Sequence, residues 1–250
     1  MAEAMTDATA AAARVAPAGA ALALENVASG YGAVSIVKGV SLSVAPGEIV
    51  ALLGKNGMGK TTLLKTILGM VALRGGGITI DGQALGTLSP ANLVALGVGY
   101  APQEQPLFQD LSIRDNLRLA VPSDRHLPAA LERLFGHFPF LKDRLAQRAG
   151  TLSGGEQKML ILGRALMLRP RLLLIDEISE GVQPSMVERL RTVLLAERDG
   201  GLSMLVVEQH VAFALGLADR YAVLKLGEIV DSGSTKAPDA QARVVDHLAV

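Results

Sequence analysis

The sequence has no cysteine, and none of its apolar segments is long enough to cross a membrane. The missing cysteines exclude disulfide bonds, thiolate metal sites and cysteine catalysis, and they are typical of a protein in a reducing compartment. Apolar residues make up 50% of the chain. However, no stretch of about 18 residues is free of polar or charged groups, as a membrane-spanning helix requires. We therefore expect a protein that does not span a membrane by itself.

Neither sign of charge is in excess, because Lys plus Arg and Asp plus Glu both total 24. Binding to a nucleic-acid backbone depends on an excess of cations, so we expect no nucleic-acid partner. The length of 250 residues suits one large α/β domain with a sizeable core and an inserted lobe.

The first twenty residues are rich in alanine and do not form a secretory signal, since Glu3 and Asp7 precede any Lys or Arg. Pro17 and Gly19 interrupt any helix before the domain begins. We predict a mobile tail at residues 1–20 and a single domain at residues 21–250.

The first part of the chain alternates strand and helix patterns. Residues 40–44 have the two-residue period of a half-buried strand, and Glu48–Leu53 is a nearly continuous apolar strand. A helical stripe follows from Lys60. We expect Gly75–Gly77 to break the chain before a short strand at Ile78–Ile80.

The later part predicts an inserted helical lobe followed by a parallel sheet. The lobe is predicted at about residues 104–165, where the apolar pattern is mainly helical. Leu172–Ile175 and Met204–Val207 are apolar runs separated by the helix-patterned Ser185–Arg198, which indicates parallel strands joined by a crossover. A hairpin turn is expected at residues 225–227.

The strongest motif is Gly54-Lys55-Asn56-Gly57-Met58-Gly59-Lys60-Thr61, which fits the phosphate-binding pattern G-x-x-x-x-G-K-[ST] between a strand and a helix. The glycines let backbone N–H groups turn towards phosphate oxygens, and the following helix presents its positive end. Lys60 is expected to reach the β- and γ-phosphates and Thr61 to bind Mg²⁺, with Thr62 also in the nucleotide site. The motif therefore predicts ATP and Mg²⁺ as ligands.

Two carboxylates, Asp176 and Glu177, follow the apolar run at residues 172–175, where ligands of open α/β sheets collect. We expect Asp176 to hold Mg²⁺ through water and Glu177 to polarise the attacking water. Apolar strands often end in solvated acids, so the pair alone is equally well explained as a surface feature. Its combination with the phosphate-binding loop favours the catalytic interpretation.

The segment Leu152-Ser153-Gly154-Gly155-Glu156-Gln157 resembles the signature motif of ABC ATPases, which ordinary P-loop kinases and GTPases lack. Taken alone, it also fits a helix cap in which Ser153 and Glu156 form a capping box. The resemblance implies a P-loop NTPase of ABC type, with a mixed core sheet, an antiparallel β part and an inserted helical lobe. It also implies that two ATPase domains associate head to tail, so that Ser153, Gly154, Gly155 and Glu156 contact the nucleotide of the opposite subunit.

Three further positions match this family in order. Tyr31 is similar to the aromatic residue that stacks on adenine, although a lone Tyr near a turn is more often structural. Gln103 resembles the glutamine that contacts Mg²⁺ and links the core to the lobe. His210 resembles the switch histidine beyond the γ-phosphate, although a single His at a strand end usually has no such role.

Two positions depart from the family pattern: Ile178 stands where Pro is common, and Gln183 where many members have Asp. This loop crosses the dimer interface in relatives. We therefore still expect ATP hydrolysis, but the sequence does not predict how the two ATP sites communicate. Glu180-Gly181, together with Val207-Glu208-Gln209-His210, resembles ATPases of branched-chain amino acid importers and of their urea or short-amide relatives.

The resemblance implies an ATPase subunit on the cytoplasmic face of the cell membrane, coupled to separate permease subunits. Its other expected partners are a second ATPase, non-identical or a second copy, and, indirectly, an extracytoplasmic binding protein. Pro106, Leu107 and Phe108 are expected to face the permease, and the alternative is that Leu107 and Phe108 pack into the lobe. A soluble ABC ATPase without a transport role remains the alternative function. The sequence has neither the long coiled-coil insertion nor the second ATPase unit that repair and translation ATPases carry, and the signature motif disfavours a P-loop kinase.

Overall fold

The computed structural model describes residues 18–86, 90–103 and 107–249 and contains two sheets. Its strands are β1 (Leu22–Tyr31), β2 (Val34–Val44), β3 (Ile49–Leu53), β4 (Leu73–Ile80), β5 (Gln83–Ala84), β6 (Val98–Ala101), β7 (Leu172–Asp176), β8 (Ser203–Glu208), β9 (Arg220–Lys225) and β10 (Glu228–Ser234). One sheet is antiparallel with the order β2-β1-β4-β5, and the other has the order β10-β9-β3-β8-β7-β6. In the second sheet β9, β3, β8, β7 and β6 run parallel, and only β10 is antiparallel. This mixed α/β architecture confirms the predicted fold class.

The helices cover the sheets and also form the predicted lobe. They are α1 (Lys60–Ile67), α2 (Pro90–Ala95), α3 (Ile113–Arg118), α4 (Leu127–His137), α5 (Gly154–Leu166), α6 (Pro184–Asp199), α7 (Val211–Leu217) and α8 (Ala240–Ala249), with short 3-10 helices at Asp124–His126, Pro139–Arg144 and Ala149–Thr151. Helices α3, α4 and α5 lie between β6 and β7, where the sequence pattern places the lobe. Within the described ranges, no helix is both long and apolar enough to cross a membrane.

The core lies on both faces of the parallel sheet. Alternate residues of β3 point to opposite faces: Ile49, Ala51 and Leu53 join the apolar cluster that includes α5, α6 and α7. Val50 and Leu52 join the cluster that includes α1 and the antiparallel sheet. Because both faces are covered, β3, β7 and β8 are buried throughout, which explains the apolar runs of which they mainly consist.

The glycine run at residues 75–77 does not break the chain, so that prediction was wrong. Strand β4 continues through it from Leu73 to Ile80. Gly76 has φ +78° and lies against the backbone of Glu25 and Asn26, so close that a Cβ would be 2.2 Å from the Glu25 carbonyl oxygen. The register with β1 shifts between Glu25 and Ala28. The glycines therefore form a bulge within a strand instead of ending one.

The predicted hairpin turn is confirmed and consists of Leu226 and Gly227 between β9 and β10. Both residues have positive φ, 50° and 89°, as a tight two-residue hairpin turn requires. The predicted strands at Leu172–Ile175 and Met204–Val207 and the helix at Ser185–Arg198 are also confirmed, with β7 and β8 parallel.

The folded domain begins earlier in the chain than residue 21, where the sequence predicted its start. Residues 1–17 lie outside the described residues. Ala20 is fully buried, and its N–H donates to the carbonyl oxygen of Arg171 at 3.0 Å. The Arg171 Nε donates in turn to the carbonyl oxygen of Ala18 at 2.9 Å. Residues 18–20 thus belong to the folded domain, although the sequence predicted them as tail.

Candidate functional site

The phosphate-binding loop connects β3 to α1, the strand-loop-helix context that its motif requires. Gly57 and Gly59 have φ of +80° and +105°, a conformation that other residues rarely adopt. The Lys60 Nζ donates to the carbonyl oxygen of Gly54 at 2.7 Å and to that of Lys55 at 3.0 Å. The loop therefore holds the ammonium group at its own centre, next to the first turn of α1.

Asp176 ends β7 and lies beside the first turn of α1. The Thr61 hydroxyl donates to Asp176 Oδ1 at 3.3 Å, although the two residues are 115 positions apart in sequence. Burial, with a smaller effect of the neighbouring Glu177 charge, raises the pKa of Asp176 to about 6, and the Thr61 hydrogen bond opposes this rise. A buried carboxylate of this kind is a strong ligand for a cation, because a nearby positive charge relieves its desolvation.

Glu177 is almost completely buried, with 2% of its surface exposed, and three side chains hold its carboxylate. Lys60 Nζ lies 3.1 Å from Oε1, and both side chains of this ion pair are 3% exposed. Oε2 accepts from the amide Nε2 of Gln103 at 2.8 Å and from the amide Nε2 of Gln209 at 2.6 Å. Glu177 has φ +46°, a strained conformation for a residue other than glycine, and its N–H donates to the carbonyl oxygen of Val207.

Gln103 follows β6 and connects the site to the lobe. Besides Glu177, its Nε2 donates to Glu180 Oε2 at 2.6 Å. The Nζ of Lys158, on α5, donates to the carbonyl oxygen of Gln103 at 3.3 Å and to that of Glu177 at 3.1 Å. Through Lys158, the helix that begins with the signature segment thus contacts the backbone of both Gln103 and Glu177.

The role of His210 beyond the γ-phosphate stays a prediction. Its side chain is exposed at the edge of a cleft of about 430 Å³ that Glu177 also lines, and His210 serves as the N-cap residue of α7. Within the described chain, no hydrogen bond or ion pair connects the His210 ring to Glu177, and the preceding residue, Gln209, makes that contact. Successive side chains at a strand end point in different directions, so Gln209 contacts Glu177 while the neighbouring His210 does not.

Ser153 and Glu156 form the capping box of α5, as the local sequence pattern predicted. The Ser153 N–H and hydroxyl both donate to Glu156 Oε2 at 2.9 Å, and Arg144 contacts Glu156 Oε1 at 2.7 Å. The backbone hydrogen bond from Ser153, together with the Arg144 charge, lowers the pKa of Glu156. These bonds stay within the lobe, and Ser153, Gly154, Gly155 and Glu156 are not brought to the phosphate-binding loop of the same chain.

Tyr31 lies at the end of β1 with 51% of its surface exposed, so it is not part of the core. Arg74 fixes the adjoining turn, since its guanidinium donates to the carbonyl oxygens of Gly32 and Val34. Tyr31 therefore offers an accessible ring on a stabilised turn, and in the part of the chain that the structure describes no hydrogen bond joins it to the residues around Glu177.

The predicted coupling segment is divided between the core and the surface. Pro106 lies outside the described residues, Leu107 is 6% exposed and belongs to the core, and Phe108 is 58% exposed. The buried Asn116 fixes Phe108 by accepting from its N–H at 2.9 Å and donating to its carbonyl oxygen at 3.0 Å. Of the two alternatives, packing into the lobe is correct for Leu107 and wrong for Phe108.

Phe108 lines a groove of about 710 Å³ between the core and the lobe, which we call the apolar groove. Its most exposed apolar side chains come from four helices or their flanking turns and from the segment after Gln103: Met70, Val94, Phe108, Leu119 and Leu168. A groove with several exposed apolar side chains is typical of a binding surface for another protein.

Three residues of the site were not predicted from the sequence: Gln209, Lys158 and Glu208. The buried Glu208 carboxylate accepts from the N–H and the hydroxyl of Ser179 at 3.0 and 2.8 Å, which fixes the loop after Glu177. The sequence signals for Gln209 and Glu208 were their position at the end of an apolar strand and the likeness of residues 207–210 to importer ATPases, and neither signal assigned them a contact in the site. Lys158 follows the signature segment and had no signal, because a helical Lys is usually solvated.

The site and fold define a P-loop ATPase, and comparison with known proteins gives its family. Residues 37–180, more than half of the chain, match the ABC transporter family. The chain belongs to this family as an ATP-binding subunit, and it is an ATPase.

Two relatives have different described roles. The chain is 36% identical to the high-affinity branched-chain amino acid transport ATP-binding protein BraG of Pseudomonas aeruginosa, over 89% of this chain and 97% of BraG. It is 34% identical to the lipopolysaccharide export system ATP-binding protein LptB of Escherichia coli K12, over 86% of this chain and 91% of LptB.

Solved structures show the same architecture. An ATP-binding cassette of an ABC transporter in its ADP conformation is similar with a TM-score of 0.78 and 26% identity, over 91% of this chain and 98% of that chain. A nucleotide-free ATP-binding cassette has a TM-score of 0.82 at 24% identity, over 91% of this chain and 95% of that one, which supports the fold.

Proposed function

We propose that ATP is hydrolysed at the residue cluster around Glu177. Lys60 and the N–H groups of the phosphate-binding loop bind the β- and γ-phosphates, and Tyr31 stacks on the adenine. Glu177 accepts a proton from water as the water oxygen bonds to the γ-phosphorus and the bond to the β-phosphate oxygen breaks. The observation that supports this role is the burial of Glu177 beside Lys60, which places a base next to the phosphate-binding cation.

The donor atoms at the site fit Mg²⁺, which prefers oxygen ligands. Thr61 supplies a hydroxyl, Asp176 a carboxylate and Gln103 an amide oxygen, and the raised pKa of Asp176 reflects a carboxylate that benefits from a cation. In the described ranges, no cluster of three or more His, Cys, Asp or Glu is arranged to hold a metal alone. Mg²⁺ bound through few protein ligands would supply positive charge to the phosphate oxygens, as in other P-loop ATPases.

We infer that two such domains associate head to tail around the nucleotides. The N-terminus of α5 directs the backbone N–H groups of Gly154 and Gly155 outward, and this helix end attracts anions. Ser153 and Glu156 bond to each other within the lobe and not to the phosphate-binding loop of their own chain. We therefore infer that they contact the nucleotide bound by a second ATPase subunit, identical or not. Ile178, which stands where Pro is common in the family, is 2% exposed, so this difference affects packing inside the domain. Gln183, which stands where Asp is common, instead affects the loop that we expect between the two subunits.

We also infer that the apolar groove binds the permease. The groove includes Phe108, only five residues after Gln103, so a partner there is connected to the nucleotide site through a short segment. Its apolar surface suits an amphipathic segment of a membrane subunit. We therefore propose that the protein is a peripheral subunit on the cytoplasmic face of the membrane.

For the cargo, we propose uptake of branched-chain amino acids, with an extracytoplasmic binding protein as indirect partner. The single supporting observation is the 36% identity to BraG, which extends over 97% of that relative. No residue of an ATPase subunit touches the cargo, so the assignment depends on this likeness. Urea or short amides are the second choice, since Gly181-Val182-Gln183-Pro184-Ser185 resembles that branch.

The test is uptake of labelled leucine and labelled urea by cells without the chain, complemented with wild type or with Lys60→Ala. Loss of leucine uptake that only wild type restores supports the proposal. Loss of urea uptake alone would move the assignment to the amide branch. The likeness to LptB favours lipopolysaccharide export as the candidate function outside import. Unchanged uptake of both compounds, with lipopolysaccharide retained in the inner membrane, would replace import by export.

A further inference from the structure

The hairpin that carries Tyr31 extends beyond the strand on its other side. Strands β1 and β2 pair as far as Tyr31 and Val34, whereas the pairing of β1 with β4 ends at Ser29 and Leu73. In the described part of the chain, residues 30–34 therefore have no strand neighbour on the β4 side. A two-stranded hairpin by itself is only marginally stable in water, so other contacts must hold its tip.

Arg74, the second residue of β4, supplies such contacts. Its Nη2 donates to the carbonyl oxygen of Gly32 at 2.7 Å, and its Nη1 donates to that of Val34 at 3.1 Å. The donors of a guanidinium lie in a rigid planar fork, so two bonds from one group fix a direction as well as a distance. The two carbonyl groups stand on either side of Ala33, and Arg74 therefore holds the turn at both ends.

The backbone around Tyr31 is irregular and closely packed. The register of β1 with β2 shifts between Ser29 and Gly30, and Gly32 has φ +53°. A Cβ on Gly30 would lie 2.1 Å from the carbonyl oxygen of Val34, so the two sides of the hairpin approach closely just before Tyr31. The direction of the Tyr31 ring therefore depends on how this turn is held, and not on a regular strand.

Stacking of a base requires the face of an aromatic ring, so it depends on the direction of that ring. Tyr31 is 51% exposed, and an exposed ring on a loosely held turn must become ordered when a base binds to it. That ordering costs binding free energy, whereas a turn that is fixed beforehand avoids the cost. Binding of the phosphates has no such dependence, because the phosphate-binding loop lies on β3 and α1.

We propose that Arg74 is the positioning residue of the base-binding part of the site: by holding the turn at Gly32 and Val34, it directs the Tyr31 ring towards adenine and raises the affinity for nucleotides that carry a base. This inference rests on the proposed stacking of adenine on Tyr31. It adds a residue from a different strand, which acts through the turn and not through the phosphates.

The test measures equilibrium binding of ATP and of inorganic tripolyphosphate, which has the phosphates but no base. Arg74→Met keeps the apolar stem and removes the guanidinium, so we expect Kd for ATP to rise about 3–10-fold and Kd for tripolyphosphate to change less than ~1.5-fold. KM for ATP should rise in parallel, with kcat within ~2-fold of wild type. Arg74→Lys offers a point charge in place of the fork, so its Kd for ATP should fall between those of wild type and Arg74→Met.

Lys38→Met is the matched control, because it removes a positive charge from an exposed position of the same hairpin. We expect it to leave Kd for both ligands within ~1.5-fold of wild type, since exposed charges at a distance are screened by salt. A rise for ATP as large as that of Arg74→Met would show that charge alone, and not the turn, determines the affinity.

A double-variant cycle tests whether Arg74 acts through the ring. In the Tyr31→Ala background, Arg74→Met should change Kd for ATP less than ~1.5-fold, because the ring that it positions is absent. An equal rise in both backgrounds, or an equal rise for tripolyphosphate, would overturn the inference. Wild-type affinity for ATP in Arg74→Met would overturn it as well. Unchanged ATP affinity in Tyr31→Ala alone would instead show that the proposed stacking on Tyr31 is wrong.

Discussion

The Lys158 ammonium lies 3.1 Å from the Glu177 carbonyl oxygen and 3.3 Å from that of Gln103. Lys158 belongs to α5, the helix that begins with the signature segment, while Glu177 follows the core strand β7. Burial lowers the pKa of Lys158, opposed by the charges of Glu180 and Glu208. The Lys158 side chain therefore connects the lobe to both Gln103 and Glu177.

Lys158→Met should weaken the connection between lobe and core. Hydrogen bonds from a charged donor contribute about 1.5–3 kcal/mol each, so we expect the free energy of unfolding to fall by about 1–3 kcal/mol. We also expect kcat to fall several-fold, because Glu177 and Gln103 lose a common support. Denaturant unfolding and ATPase assays measure both effects. Lys142→Ala, an exposed lysine of the same lobe, is the control, and equal effects in both variants would contradict the prediction.

Glu177→Gln should bind ATP and hydrolyse it at least ~10²-fold more slowly, because the amide cannot accept the proton. The bound nucleotide should then hold two subunits together. Equilibrium binding, single-turnover hydrolysis and light scattering with the partner ATPase present provide the measurements. A species that binds ATP but remains monomeric under these conditions would exclude the shared nucleotide site.

Ser153→Arg should spare ATP binding by the same chain and block closure of the dimer. The substitution places a large cation at the N-terminus of α5, where the helix dipole is positive, and it removes the capping box. Nucleotide binding to the monomer and turnover of the assembled pair are measured separately. If monomer binding falls in parallel with turnover, Ser153 serves its own nucleotide site.

Phe108→Ala should leave basal hydrolysis unchanged and reduce stimulation by the permease. Phe108 is exposed in the apolar groove, so its removal takes contact area from a partner without opening the core. ATPase assays with and without permease in proteoliposomes measure the difference. Val245→Ala, an exposed apolar change on α8, is the control. Full stimulation of Phe108→Ala would place the permease elsewhere.

Glu208→Gln should change the dependence of stability on pH. Burial raises the pKa of Glu208 above the ordinary glutamate value of about 4.3, despite hydrogen bonds from Ser179 that lower it. Between these two pKa values the native state binds more protons than the unfolded state, so the free energy of unfolding falls as pH rises through this window. Gln keeps an acceptor for Ser179 but does not titrate. Thermal unfolding across the window should show a smaller decline in the variant, and parallel curves would refute the assignment.

The phosphate-binding loop, the acid pair and the helix cap could be read from the sequence because each is a local pattern. Gly57 and Gly59 stand where the backbone needs positive φ, and Ser153 and Glu156 stand three residues apart at a helix start. The continuous apolar runs also predicted buried parallel strands, since strands covered on both faces need no polar residues. These features follow from neighbouring residues alone, so the sequence by itself determined the fold class and the family.

The tertiary structure decided which side chains meet. Gln209 rather than His210 contacts Glu177 because the direction of a side chain at a strand end depends on how the chain leaves the sheet, which no periodicity records. Lys158 reaches the carbonyl oxygens of Glu177 and Gln103 only because α5 lies against the core. Such contacts join residues far apart in sequence, so packing of the whole chain determines them.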